Sequence, residues 1–283
     1  MPSMKAIKRR IVSVNSTQQI MKAMNLVAAS KLQRCKTQLG LVRPLYSNIK
    51  QVMDGVKSGA DLTGNVFFEK REVKNIAYLV ISGDRGLCGG YNLNLCKEAS
   101  ALVERGTAPE KIVAVGSKGY DYFRKRGKNV LKRFTGITET TAFERASEIG
   151  SYLLEMYKSG EADEIYIVYT HFETILSQEP KSVRILPLGG AEESTGAPGF
   201  MTYDPDVHTF LDYAVPMYLN TLVYGAIAES NVCEQASRMT SMDAAARNAE
   251  EIIDDLTLAY NRKRQGAITQ EITEIVSGAN AIQ

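Results

Sequence analysis

The chain is 283 residues long, 44% hydrophobic and 23% charged, with no tryptophan and a formal net charge of +2. This is a globular composition with apolar residues for one large or two smaller cores, and it contains no uncharged apolar run near the ~18 to 20 residues of a membrane span. Cys35, Cys88, Cys96 and Cys233 form no C-x-x-C pair, and His171 and His208 stand far apart, so the sequence points to a reducing compartment and away from zinc. The N-terminus also lacks the continuous apolar stretch of a signal peptide, so the chain reads as soluble.

The first predicted element spans residues 1–57. From Ile7 to Val56 a seam of fifteen positions recurs at alternating steps of four and three, and all are apolar except Gln18 and Asn25. A period of 3.5 held over seven heptads predicts a coiled-coil helix, and isolated polar seam residues tend to set register. Pro44 lies off the seam and is expected to kink the helix rather than end it. The element is strongly basic, with eleven Lys/Arg against one acid, Asp54. A basic arm suggests nucleic acid, but Tyr46 is its one aromatic and nothing stacks bases, so an acidic neighbouring helix or partner fits better.

Residues 74–188 change character. Apolar runs at Ile76–Ser82, Ile112–Val115, Asn129–Phe134, Ile165–Phe172 and Ser182–Leu186 alternate with helical patterns at Leu93–Glu104, Lys118–Lys125 and Ala142–Tyr157. Alternation of strand and helix predicts an open α/β sheet, mostly parallel. Behind its first strand lies SGDRGLCGGYN, Ser82 to Asn92. Glycine-rich strand-to-helix turns commonly cradle phosphates. This one lacks the Gly-Lys-Ser/Thr ending of the Walker pattern, and Gly83, Gly86, Gly89 and Gly90 miss the dinucleotide spacing, although Glu104 lies at a tolerable distance. A structural turn is the better reading, and it predicts that valine at Gly89 or Gly90 destabilises the domain through positive φ. The loop Gly189–Gly199 marks the exit.

Residues 207–283 repeat the heptad pattern from Val207 to Tyr260, apolar at thirteen of sixteen seam positions, and carry ten acids against five bases. Pro216 leaves the first turns doubtful, and after Tyr260 the seam is expected to continue at Ile268, Ile272, Ile275 and Ala279 only after a four-residue shift. Two long helices leaving one domain can pair only with each other, antiparallel. On the lengths of the two segments the C-terminal helix overhangs by about ten residues or more, roughly 15 Å. The apolar Ile268, Ile272, Ile275, Val276 and Ile282 on that overhang then need cover from other chains.

Three stretches, IMKAMNLVAASK at Ile20–Lys31, DRGLCGG at Asp84–Gly90 and YNRKRQGAITQEITEIVSGA at Tyr260–Ala279, together resemble the gamma subunits of F-type ATP synthases of bacterial type. The resemblance covers essentially the whole chain. It implies a long antiparallel coiled coil of N- and C-terminal helices with a central Rossmann-like α/β domain. The implied role is that of a central rotor shaft, without catalytic residues, cofactor or metal, which couples proton-driven rotation of a membrane c ring to ATP synthesis at catalytic beta subunits. Implied partners are three alpha and three beta subunits, an epsilon subunit and the c ring, with no nucleic acid and no direct nucleotide binding. Matching motif positions imply that Met24, Arg264 and Gln265 contact beta. Tyr203, Asp204, Pro205 and Asp206 are implied to contact the c ring or epsilon. The implied location is peripheral, on the cytoplasmic face of the bacterial cell membrane, and the redox-active cysteine pair of chloroplast members has no counterpart. Two readings of other classes stay open on the residues alone: a nucleotide-dependent enzyme using Gly83–Gly90, and a coiled-coil tether or nucleic-acid binder using the basic helix.

Overall fold

The structure, a computed structural model, describes residues 3–59, 62–69, 71–188 and 206–280. The expected loop Gly189–Gly199, the site positions Tyr203, Asp204 and Pro205, and Ile282 lie outside the described residues. The elements in chain order are α1 (Met4–Gly59), β1 (Ile76–Ile81), α2 (Tyr91–Arg105), β2 (Glu110–Val115), α3 (Ser117–Arg124), β3 (Val130–Phe134), α4 (Ala142–Lys158), β4 (Glu164–Phe172), β5 (Gln178–Leu186) and α5 (Val207–Asn280). The chain forms two compact units, Ala29–Arg238 and, separately, Met1–Ala28 with Met239–Gln283.

In the first unit the strands form one sheet in the order β3-β2-β1-β4-β5. β1, β2, β3 and β4 run parallel, and β5 returns antiparallel on β4. Every residue of the central β1 is buried, as a parallel strand with both faces covered requires. Its alternate side chains go to opposite faces. Ile76, Tyr78 and Val80 pack with Leu95, Cys96 and Ala99 of α2 and Phe123 of α3. Ala77, Leu79 and Ile81 pack with Ile149 and Leu153 of α4 and Leu219, Val223 and Ile227 of α5. β5 starts four residues earlier than expected and contains Pro180, which an edge strand tolerates because the missing N–H can face outward. α5 likewise runs through Pro216 from Val207, so the doubt over its first turns does not hold. Leu211, Ala214, Val215 and Leu219 are buried around that proline, and their burial offsets one lost backbone bond.

In the second unit the ends of α1 and α5 pair antiparallel. The Gln18 amide donates to the Ala246 carbonyl at 3.3 Å and the Asn25 amide to the Met239 carbonyl at 2.9 Å, so numbers rise on one helix as they fall on the other. The two polar seam residues therefore reach the facing backbone. Along both helices none of the predicted seam positions from Ile7 to Val56 or from Val207 to Tyr260 is exposed. Beyond Tyr260 the structure departs from expectation. Half-burial continues in the old register at Lys263 and Ala267, whereas Ile268, Ile272 and Ile275 are 47%, 56% and 71% exposed. Extending the two hydrogen-bonded pairs places Met4, the first residue of α1, opposite about residue 260. α5 then overhangs by about 20 residues, roughly 30 Å, twice the sequence-based length. The reason is simple: α5 has 74 residues and α1 has 56.

Candidate interaction surfaces

The glycine-rich turn comes first because its geometry decides its chemistry. Asp84 leaves the end of β1 and accepts from the Ser117 backbone N–H and hydroxyl, both at 2.9 Å, and from the Gly136 N–H at 2.8 Å. A carboxylate thus already sits on the N-terminus of α3, where an anion is favoured. Asn92 folds back to accept from the Gly83 N–H at 2.8 Å and to donate to the Arg85 carbonyl at 3.2 Å. The Gly83 donor is thus spent on Asn92, and the anion position at the start of α3 is taken by the Asp84 carboxylate.

α5 closes the turn from outside. Ser237 donates to the Cys88 carbonyl at 2.7 Å, and Arg238 donates to the Gly86 carbonyl at 3.3 Å while paired with Glu234 at 2.6 Å. A Cβ on Gly83 would stand 2.9 Å from the Glu234 carboxylate. These clamping residues escape sequence reasoning, although Glu234 and Arg238 form an i,i+4 charge pair that marks them as neighbours. The result is a rigid loop with Arg85 and Leu87 outward, Leu87 62% exposed at φ 60. Gly89 has positive φ (54) as expected, but Gly90 does not (−81), and a Cβ there would stand 3.1 Å from the Asn94 side-chain nitrogen.

On the paired helix ends, Met24 is half-buried beside the seam and shares a face with Ile20 and Val27, which are 60% and 58% exposed. The adjoining groove, about 250 Å³, is lined by Lys22, Asn25, Leu26, Asp243, Arg247 and Glu250. Arg264 and Gln265 are exposed on the overhang. By the helix register they stand roughly 36 Å along the coil from Met24, so the structure does not bring the three together; they are two stations on one rod.

Asp206 caps α5. Its carboxylate accepts from the His208 N–H at 2.8 Å and from the Thr209 N–H and hydroxyl at 3.0 and 2.8 Å. The Thr209 bonds and then that from His208 hold its pKa below the usual value. His171 is likewise engaged structurally, 2.6 Å from the Glu229 carboxylate, which also faces Arg43 at 3.8 Å. All four cysteines are buried and free. Burial pushes the thiols up, Cys35 to about 11 and Cys96 to about 12, so thiolate is scarce at neutral pH. An apolar cavity among Leu39, Val42, Tyr46, Ile167 and Tyr169 measures about 50 Å³, far below the several hundred Å³ of a ligand pocket.

Comparison with known proteins bears on the whole length. A family model described as ATP synthase matches residues 3–282. The ATP synthase gamma chain of Desulforamulus reducens is 42% identical over 284 aligned positions, covering 100% of both chains. A relative from Acetobacterium woodii, named ATP synthase gamma chain, sodium ion specific, is 39% identical over 98% of this chain and 97% of its own. Among solved structures, a chain in the cryo-EM structure of the Euglena gracilis mitochondrial ATP synthase (OSCP/F1/c-ring, rotational state 3) aligns with a TM-score of 0.68 at 17% identity, over 99% of this chain and 94% of that one.

Proposed function

The chain belongs to the family of ATP synthase gamma chains, and we propose that it serves as the central rotor shaft between a membrane ring of c subunits and a ring of three alpha and three beta subunits. The observation that carries this reading is the C-terminal overhang. Ile268, Ile272, Ile275 and Val276 are exposed on a helix that has outrun its partner, and such a surface calls for a sleeve from other chains. A two-helix rod offers a different face to each surrounding catalytic site. Turning it shifts the open and closed populations of those sites in sequence, by whatever difference in contact energy the faces supply.

In this reading Met24 with its apolar neighbours meets a beta subunit at one station, and Arg264 and Gln265 make a polar contact with beta at the other. The Tyr203–Asp206 segment lies towards epsilon and the c ring, with the Asp206 carboxylate committed to its cap. The exposed cations Lys5, Lys8, Arg9 and Arg10 supply a weak, exchangeable attraction for acidic segments. The subunit is peripheral on the cytoplasmic face of a bacterial membrane. Among the described residues no helix is long and apolar enough to cross one. Pumping in sodium-free buffer decides whether the coupling ion is the proton or sodium, since one relative carries a sodium-specific name.

Co-expression of the full chain with alpha and beta subunits tests the proposal. A stable complex with one copy of this chain per three alpha and three beta is expected, in which the amides of residues 264–280 become protected from exchange. Failure to assemble, or equal exchange in the free and assembled states, would sink it. In the assembled enzyme Met24→Lys should lower ATP-driven pumping more than ATP hydrolysis, because an added cation near Lys22 and Lys31 holds one rotor angle too tightly.

A further inference from the structure

A strongly positive patch of the α/β unit lies at one edge of its sheet. Residues 118–133 hold seven Lys/Arg against one acid, Asp121. Among the described residues Lys128 pairs with Glu110 at 3.3 Å, while Arg124, Lys125, Arg126, Lys132 and Arg133 form no ion pair. Aromatic rings hold several of these cations in place. Arg133 of β3 and Arg124 of α3 converge on Tyr120, 4.7 and 5.7 Å from its ring centre, and Arg124 also donates to the Tyr120 hydroxyl at 3.2 Å. Lys132 lies over Phe134 and Tyr152, at 4.7 and 4.5 Å. Tyr120 belongs to α3 and Tyr152 to α4, so a cation flanks the strand on each face of the sheet.

β3 is also an edge strand, with β2 on one side and, among the described residues, no strand on the other. The two edges of the sheet differ in kind. β5 carries Pro180, which cannot donate to an added strand, whereas β3 from Val130 to Phe134 has no proline.

We propose that the outer edge of β3 receives an acidic, extended segment of another protein, which adds to the sheet as a sixth strand. Backbone bonding supplies the affinity in such additions, and side chains on alternating faces supply the specificity. Acids on one face meet Arg124 and Arg133; acids on the other meet Lys132. Charged residues on an edge deter neutral strands, and cationic edges repel one another, which selects against a second copy of this chain. A nucleic-acid strand lacks the amide ladder, and a flat lipid surface cannot reach both faces of a strand. The inference does not depend on the rotor reading, because no residue of the paired helix ends takes part.

The test is fluorescence anisotropy of the full chain with a labelled peptide, acetyl-TEVEEVET-amide, and its proline counterpart, acetyl-TEPEEPET-amide. The first should bind at one site, at least tenfold tighter than the second, weaken with added salt, and protect those amides of residues 130–133 that point away from β2. Replacing Arg124 and Arg133 together by Glu should weaken it tenfold or more; the double Gln variant should weaken it less, and the double Lys variant should retain most of the binding. Both altered side chains are exposed, so melting temperatures should stay within a few degrees; should the Glu variant not fold, the Gln variant carries the comparison. Equal binding by the proline peptide would overturn strand addition, and unchanged affinity in the Glu or Gln variant would overturn the site. Displacement of the peptide by oligo-dT or by phosphatidylglycerol vesicles, each binding more tightly than it does, would overturn the choice of partner.

Discussion

The middle of α5 and its end share one uninterrupted helix and opposite surroundings. Leu211, Leu219, Val223, Ile227 and Cys233 are each no more than 1% exposed. From residue 268 to 277 every position is exposed. Both stretches are helical, and the middle even lacks one backbone bond at Pro216, so the difference reflects what tertiary burial contributes. A helix this far from any partner is held by little more than its own propensity, and Gly266, Thr269 and Thr273 make that propensity modest.

Truncating one side chain in each region gives the largest separation. Leu219→Ala should cost about 2–5 kcal/mol in urea unfolding, through lost transfer energy and a cavity in a packed core. Ile272→Ala should stay within about 0.5 kcal/mol in the free chain. A comparable loss at both sites would mean that the overhang is covered within the chain, against the register drawn from Gln18 and Asn25.

Glycines sharpen the contrast between the glycine-rich turn and the sheet behind it. Gly116 has φ 86, and a Cβ there would lie 2.2 Å from the Ser82 carbonyl oxygen, a backbone atom that cannot step aside. Gly116→Ala should therefore cost about 3 kcal/mol or more, whereas Gly90→Ala, at φ −81 beside the flexible Asn94, should cost less than about 1 kcal/mol. Melting temperatures of the two variants decide the matter, and equal shifts would refute this ranking.

That ranking shows where the sequence was readable and where it was not. The helices were legible because a period of 3.5 is written in the apolar residues, and the sheet because short apolar runs such as Ile76–Ile81 alternate with helical patterns. Gly116 stands alone after Val115 and carries no motif, so its demand for positive φ appears only once Ser82 is folded against it. The Asp84 carboxylate on α3 is likewise a long-range event, joining residues 33 apart. Of the site residues, Met24 was proposed from its motif, one position off the seam, and the structure places it half-buried there. Arg238 and Ser237 were missed because their work is done on backbone carbonyls, which no side-chain pattern reveals. The cationic edge at β3 was present in the letters but hidden by a net charge of +2 over the whole chain.

A smaller effect probes the paired helix ends. Gln18 is buried and reaches Ala246 and, at 3.4 Å, Glu250. Gln18→Ala should cost about 1 kcal/mol, one net hydrogen bond with some packing. Gln18→Leu should fall within about 0.5 kcal/mol, because the Ala246 carbonyl keeps its helical partner and the seam becomes apolar at that position. Amide exchange at residues 246–250 reports the difference, and equal costs would show that this seam is held by polarity rather than burial.

The two ends of α5 complete the comparison, with the smallest expected effect. Its N-terminus is capped by Asp206, while its last turn contains no basic residue to meet the carbonyl end of the helix. Three bonds to the charged form hold the Asp206 pKa below its usual value of 3.8. A depressed carboxylate contributes stability that is complete above the unfolded pKa and is lost as pH falls through the folded one. Exchange of the amides at His208 and Thr209 should therefore be flat from pH 7 to 5, after correction for intrinsic rates, and should rise only below about pH 4, where the unfolded carboxyl titrates. Asp206→Asn should keep the cap and abolish the acid limb, because its oxygen still accepts but no longer titrates, whereas Asp206→Ala should expose both amides at every pH. An acid limb that persists in the Asn variant would assign it to another carboxylate and remove Asp206 as the cap that fixes this end of the helix.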